Sequence, residues 1–239
     1  MLGSIVGLVI VRRFVNLDWL KQHHEIASYF FLMIGTLYAV LIAFAIYVVW
    51  TQFQDAGAKL EAEANAVGDL SRMAAGLPPS QHAQVREALI NYIHAVLDDE
   101  FPAMAAGRES PRTWTAMQRL MDVYTQPSIA GVKEQVFTAE SLKHLNELSN
   151  FRRSRLFTSR GTVPRLLWYL LFGGGALLIA FTYFFGHESV AWQAAMTAAL
   201  AGTLSFSLYL IVAFNGPFDG STRVSPLPYE VELQHVSMR

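Results

Sequence analysis

A long stretch without charge constrains this chain more than any other feature. No Asp, Glu, Lys or Arg occurs between Glu25 and Asp55. Within that stretch, residues 28–50 are long enough to cross a hydrocarbon core of ~30 Å as an α-helix, which rises about 1.5 Å per residue. Such a helix needs an apolar solvent, so residues 28–50 are predicted to form a membrane helix.

Three further segments are largely apolar. Residues 164–186 begin with Pro164, which a helix tolerates in its first turn, and residues 190–214 follow after a short turn, so the two are predicted to form an antiparallel hairpin. Residues 1–16 hold an apolar run that is too short to span a bilayer before Arg12 and Arg13. We interpret this run as a partial first membrane helix, which makes four membrane helices in all.

The middle of the chain, residues 51–163, has the composition of a water-soluble helical domain. Apolar residues recur there at helical spacing, for example Val85, Leu89, Tyr92 and Val96. A second series, Phe53, Leu60, Val67 and Ala74, recurs every seven residues, and no proline precedes Pro78. The second membrane helix is therefore predicted to continue unbroken into this domain, whereas Pro102 is predicted to end a later helix. Residues 215–239 form a C-terminal turn and tail.

The fold class expected from these segments is an all-α membrane protein with a helical domain inserted between its second and third membrane helices. Basic residues are retained on the cytoplasmic side of a membrane. They precede the third membrane helix at positions 152, 153, 155, 160 and 165, and Arg223 follows the fourth, against Arg12, Arg13 and Lys21 on the other side. The inserted domain and the C-terminus are therefore predicted to be cytoplasmic. Arg152, Arg153 and Arg155 either attract anions or lipid head groups or serve only as this topology signal.

Residues that commonly carry enzyme chemistry are scarce. The chain has no cysteine, a net charge of −1 and seven dispersed histidines. It shows no phosphate-binding glycine loop or nucleophile motif, so we expect no enzyme, cofactor, metal site or nucleic-acid partner. The densest acidic cluster, Asp98-Asp99-Glu100, is more simply a solvated helix end than a cation site. None of the three long membrane segments contains an ionisable carboxylate or amine between its ends, which disfavours an ion-coupled transporter.

Within the second membrane helix, small and large residues occupy different faces. Gly35, Ala39 and Ala43 form a stripe at four-residue spacing, which allows close helix contact. At 100° per residue, the opposite face carries Leu37, Val40 and Phe44, with Tyr47 and Thr51 toward the inserted domain. This face meets either lipid or an axis shared between subunits, and the spacing alone leaves both alternatives open.

Several motifs resemble one known family. Residues 210–220, LIVAFNGPFDG, followed by Arg223-Val224-Ser225-Pro226, resemble the signature of the bestrophin-like domain family, membrane proteins common in bacteria. The resemblance continues through residues 39–50 and through the basic helix around Arg152, and it covers nearly the whole chain. One departure is Phe214-Asn215, where the family usually has Leu-Asp, so a role that needs a carboxylate there is in doubt.

The resemblance implies kinship with bestrophins, which are pentameric anion channels with four membrane helices per subunit and a neck of apolar rings on the second. Phe44 would match a neck aromatic, with Val40 one turn earlier. The implied function is a homo-oligomeric, chloride-permeable channel of the bacterial inner membrane, whose partners are membrane lipid, inorganic anions and other copies of the chain. The alternative is a non-conducting scaffold or sensor that binds a protein or anionic lipid. The pore residues expected for the channel are Leu37, Val40, Phe44, Tyr47 and Thr51.

Overall fold

Helices are the regular structure of this chain. A computed structural model describes residues 2–14, 24–125, 131–159, 161, 163–185, 187, 189–220 and 222–238, and no strand occurs among them. Lys21, Arg160 and residues 15–16 of the predicted first membrane helix lie outside the described residues. The expectation of an all-α membrane protein is confirmed.

The helices follow one another with short connections. They are α1 (Leu2–Phe14), α2 (His24–Ala74), α3 (Pro79–Ala95), a π-helical turn (Val96–Glu100), α4 (Phe101–Ala105), α5 (Pro111–Thr125), α6 (Val132–Thr158), α7 (Arg165–Thr182), α8 (Val190–Asn215) and α9 (Leu227–Met238). Among these, α2, α7 and α8 are long and apolar enough to cross a membrane, whereas α1 has 13 residues. The prediction that the second membrane helix continues unbroken is confirmed, because α2 has 51 residues.

The chain divides into two compact units, and the first comprises residues 1–50 and 162–215. Its core joins one face of α2, built from Tyr38, Ile42, Ala45 and Val49, to Leu171 and Leu178 of α7 and to Leu204 and Ile211 of α8. Tyr38 donates its hydroxyl hydrogen to the carbonyl oxygen of Leu171. The α7–α8 hairpin is fixed by Gln193, whose Nε2 donates to the Thr182 carbonyl oxygen at 3.0 Å.

The second unit comprises residues 51–161 and 216–239. Leu60 and Val67 are fully buried in its core, as the seven-residue series predicts. The C-terminal segment is ordered, because Phe218 and Val224 are buried and the Val224 N–H donates to the Pro217 carbonyl oxygen at 2.7 Å. The expected tail is in fact helix α9, which packs Tyr229 and Val236 into the core.

The prediction that Pro102 ends a helix is wrong. A π-helical turn at Val96–Glu100 precedes it, with the Phe101 N–H bonded to the Val96 carbonyl oxygen, and Pro102 lies in the first turn of α4. The backbone stays helical up to this proline, because Glu100 and Phe101 both keep right-handed helical dihedral angles. The helix ends instead at Ala105, and Gly107 follows with a φ of 67° that allows the Arg108 N–H to reach the Ala103 carbonyl oxygen at 2.9 Å.

Candidate functional site

The outward face of α2 carries the predicted pore residues. Leu37, Val40, Phe44 and Tyr47 expose 67%, 65%, 63% and 65% of their surface, and Thr51 is exposed as well. They lie away from the face that packs within the first unit, because Tyr38, Ile42, Ala45 and Val49 occupy that face. The structure therefore leaves a continuous stripe of large apolar side chains uncovered along one helix.

A different face of α2 carries the stripe of small residues, Gly35, Ala39 and Ala43. Ala39 and Ala43 are exposed, whereas a β-carbon added at Gly35 would lie 3.8 Å from Leu178 of α7, so within the described chain the stripe is mostly uncovered. It borders a cavity of about 530 Å³, which α8 lines with Thr203 and Ser207. These hydroxyls donate to carbonyl oxygens four residues earlier in their own helix, at 3.1 and 2.9 Å. Because its hydroxyls are already bonded, this surface suits an apolar neighbour.

Beyond Thr51, the exposed positions of α2 become polar. Asp55, Ala58, Glu61 and Asn65 are exposed at spacings of three and four residues. Asp55 forms an ion pair with Lys59, with a distance of 2.6 Å between the Lys59 Nζ and the Asp55 Oδ2. Positions at this spacing lie near one another around a helix, so two carboxylates are exposed on α2 within the second unit.

Two of the three arginines expected to attract anions are buried in ion pairs. Arg155 is fully buried, and its Nη2 lies 2.9 Å from Glu63 Oε1 and 2.6 Å from Glu100 Oε2. Arg152 binds Glu100 through its Nε and Nη2. Tyr92 donates its hydroxyl hydrogen to Glu63 Oε1 at 2.9 Å. We call Glu63, Glu100, Arg152 and Arg155 the buried ionic cluster; its formal charge is zero.

The buried ionic cluster changes the protonation equilibria of its members. Burial disfavours the charge of Arg155, but the carboxylates of Glu63 and Glu100 outweigh burial and hold the pKa of Arg155 well above its ordinary value. Burial, aided by the charge of Glu63, raises the pKa of Tyr92 well above its ordinary value. Tyr92 therefore remains a neutral donor to Glu63, and Arg155 remains a cation.

Of the alternatives given for Arg152 and Arg155, the attraction of anions or head groups is disfavoured, because both guanidinium groups are bonded to buried carboxylates. Arg153 alone of the three is exposed. Sequence reasoning missed Glu63 and Glu100 and interpreted Glu100 as part of a solvated helix end. One signal was present for Glu63, which lies three residues after Leu60 and four before Val67, on the buried face of α2. A carboxylate on such a face needs a cationic partner.

Within the described residues, no group of three or more histidine, aspartate or glutamate side chains is placed to hold a metal ion. Asp99 pairs with Arg112 at 2.7 Å, and Asp98 lies 3.5 Å from the ring of His94. The acidic cluster at 98–100 is thus divided between the ion pair of Asp99 with Arg112, the contact of Asp98 with His94 and the buried ionic cluster.

Comparison with known proteins decides the family. The Bestrophin-like domain model matches residues 1–229. The chain belongs to the bestrophin-like domain family. Two solved structures of a bacterial bestrophin homologue from Klebsiella pneumoniae, each with one substitution, have the same fold. Their TM-scores are 0.76 and 0.75 at 13% and 14% identity, and the alignments cover 99% and 100% of this chain and 97% of each of the others. The comparison with curated proteins found no match.

The departure at Asn215 has a structural account in this bestrophin-like protein. The side-chain oxygen of Asn215 accepts a hydrogen bond from the Val163 N–H at 3.1 Å, which links the end of α8 to the start of α7. An amide oxygen accepts this bond as a carboxylate oxygen would. Asparagine therefore keeps this link between the two helices and lacks the negative charge.

Proposed function

We propose that this bestrophin-like protein is a homo-oligomeric, anion-permeable channel whose pore is lined by α2. The observation that carries the proposal is the uncovered stripe Leu37, Val40, Phe44 and Tyr47 on a helix whose other face packs within the chain. Membership of the family and the fold of the bacterial bestrophin homologue support it. By the same analogy we propose a pentamer in a bacterial inner membrane, with residues 51–163 and the C-terminus in the cytoplasm.

In a ring of subunits, the small and large residues of α2 would have separate roles. Ala39 and Ala43 border an apolar cavity and allow the close helix approach that membrane association requires. A neighbouring subunit packed there would leave Val40 and Phe44 facing the axis. Rings of valine and phenylalanine offer an ion no replacement for its water, so they form an apolar gate. The positive edge of the phenylalanine ring favours an anion over a cation at this position.

Cation permeation is a second candidate, and a specific observation favours it. Asp55 and Glu61 are exposed on α2 at helical spacing beyond Thr51. If Thr51 faces the axis, these carboxylates face the water next to the gate and concentrate cations there. The apolar gate and the acidic positions therefore favour opposite ions.

Reversal potentials of the purified protein in planar bilayers under a potassium chloride gradient distinguish these functions. A potential near the chloride equilibrium value is expected for the anion channel. A potential near the potassium value, reduced in magnitude by Glu61→Gln, would assign the cation channel. The non-conducting scaffold or sensor predicts no current above that of protein-free bilayers, and this result would contradict both channel functions.

A further inference from the structure

A cavity of about 470 Å³ lies between α5 and α6 in the second unit. This volume lies within the range of small-molecule sites in proteins. Its apolar wall includes Trp114, Met117 and Phe157, and its polar wall includes Arg152, Arg153 and Glu109. The cavity is separate from the outward face of α2, and a ligand site there does not depend on the proposed channel function.

The aromatic side chains of this cavity are unusually accessible for a domain of water-soluble composition. Trp114 exposes 58% of its surface and Phe157 exposes 77%, whereas Met117 is buried beneath them. Exposed apolar groups that border a concave surface with a few polar groups commonly mark a binding site. A ligand with an aromatic or aliphatic group would remove both rings from water.

The charged side chains of the cavity determine which ligand fits. Arg152 is hydrogen-bonded to Glu100, and Glu109 already interacts with another group of the protein. Arg153 is exposed and, among the described residues, forms no ion pair. The charge available to a ligand is therefore the guanidinium of Arg153, which presents several N–H donors to a carboxylate or phosphate.

We propose that this cavity binds a small amphipathic anion. The apolar group of the ligand packs against Trp114 and Phe157, and its carboxylate or phosphate binds Arg153. Any such ligand has an anionic group joined to an apolar part. A soluble metabolite and the head-group region of an anionic phospholipid both have this chemistry.

The test is equilibrium binding of 2-naphthoate and its uncharged amide to the purified full-length protein in nanodiscs of phosphatidylcholine. We expect saturable binding of naphthoate that is about tenfold tighter than binding of the amide, because a charge-assisted hydrogen bond to Arg153 is about twice as strong as a neutral one. Arg153→Gln should remove this preference and leave amide binding unchanged. Trp114→Ala should weaken the binding of both probes. Nanodiscs that contain phosphatidylglycerol identify the natural source, because only a lipid ligand would displace naphthoate.

Arg119→Gln is the matched control, since Arg119 is an exposed arginine of α5 outside this cavity. It should bind both probes like the parent protein. Equal affinity for naphthoate and its amide would overturn the proposal, as would undiminished naphthoate binding by a folded Arg153→Gln variant. Absence of saturable binding, as expected if a second copy of the chain covers the cavity in the assembled protein, would also overturn it.

Discussion

Glu63 shows how strongly one residue depends on partners that are distant in sequence. It lies on the buried face of α2, and its carboxylate is bonded to Arg155 and Tyr92. An isolated carboxylate in this position would be costly, but the bidentate guanidinium and the tyrosine hydroxyl satisfy its oxygens. Arg155 in turn spans Glu63 and Glu100, so it joins α2 to the π-helical turn. Arg155 thus bonds α6, on which it lies, to both of these elements of the second unit.

Replacement of Glu63 by glutamine should destabilise the protein strongly. Glutamine keeps the shape and an acceptor for Tyr92 but leaves the fully buried Arg155 short of one negative charge. Breaking a buried pair in this way costs about 3–5 kcal/mol. Thermal unfolding of the purified variant, followed by circular dichroism, should show a clearly lower midpoint.

Glu61→Gln provides the control for this prediction, because Glu61 is two residues away on the same helix and is exposed. Its effect should stay within ~0.5 kcal/mol, as is usual for surface positions. Equal unfolding midpoints for the two variants would show that the buried ionic cluster contributes nothing to stability.

Among the elements, α7 places a glycine against an aromatic ring of α2. A β-carbon added at Gly174 would lie 2.6 Å from Cε2 of Tyr38, whereas one added at Gly173 would meet nothing within 4 Å. Both glycines belong to a run of three in α7, residues 173–175. The structure places Gly174, and not Gly173, against the side chain of Tyr38.

The two neighbouring glycines give a matched pair of variants. Gly174→Ala should destabilise the protein by roughly 1–3 kcal/mol, because the side chain of Tyr38 is held by its hydrogen bond to Leu171 and cannot move freely. Gly173→Ala should be neutral or slightly stabilising, since alanine favours a helix over glycine by about 1 kcal/mol. Unfolding midpoints in one detergent would test both. Equal destabilisation would mean that general glycine flexibility, and not the contact with Tyr38, determines the result.

Element boundaries illustrate what local sequence can and cannot predict. The uncharged segments predicted the bounds of α7 and α8 well, because length and absence of charge are properties of the segment itself. The prediction at Pro102 failed, because the turn before it takes a π-helical geometry and ends at Glu100, which is bonded to the distant arginines Arg152 and Arg155. Helix α9 was not predicted either, because its buried residues Tyr229 and Val236 are recognised only from their packing in the folded unit.

Considered as a whole molecule, the chain leaves large apolar side chains of its longest helix uncovered. The position of Leu37, Val40, Phe44 and Tyr47 on one face followed from helical periodicity alone. The sequence could not predict whether lipid or a pore axis meets that face, because both accept the same apolar residues. A single chain also does not show its neighbours in an assembly. The proposal of a central pore therefore rests on the family and on the separation of small and large residues around α2.

Ion flux through liposomes that contain the Phe44→Ala variant tests this central claim most directly. Removing the ring should widen and hydrate the gate, and a barrier lower by ~1.4 kcal/mol raises flux about tenfold. Leu170→Ala is the control, because Leu170 is an exposed apolar residue of α7, another membrane helix. We predict that Phe44→Ala raises flux on the order of tenfold above the parent protein and that Leu170→Ala does not. A Phe44→Ala variant that assembles like the parent protein but leaves flux unchanged would contradict a pore lined by this face of α2.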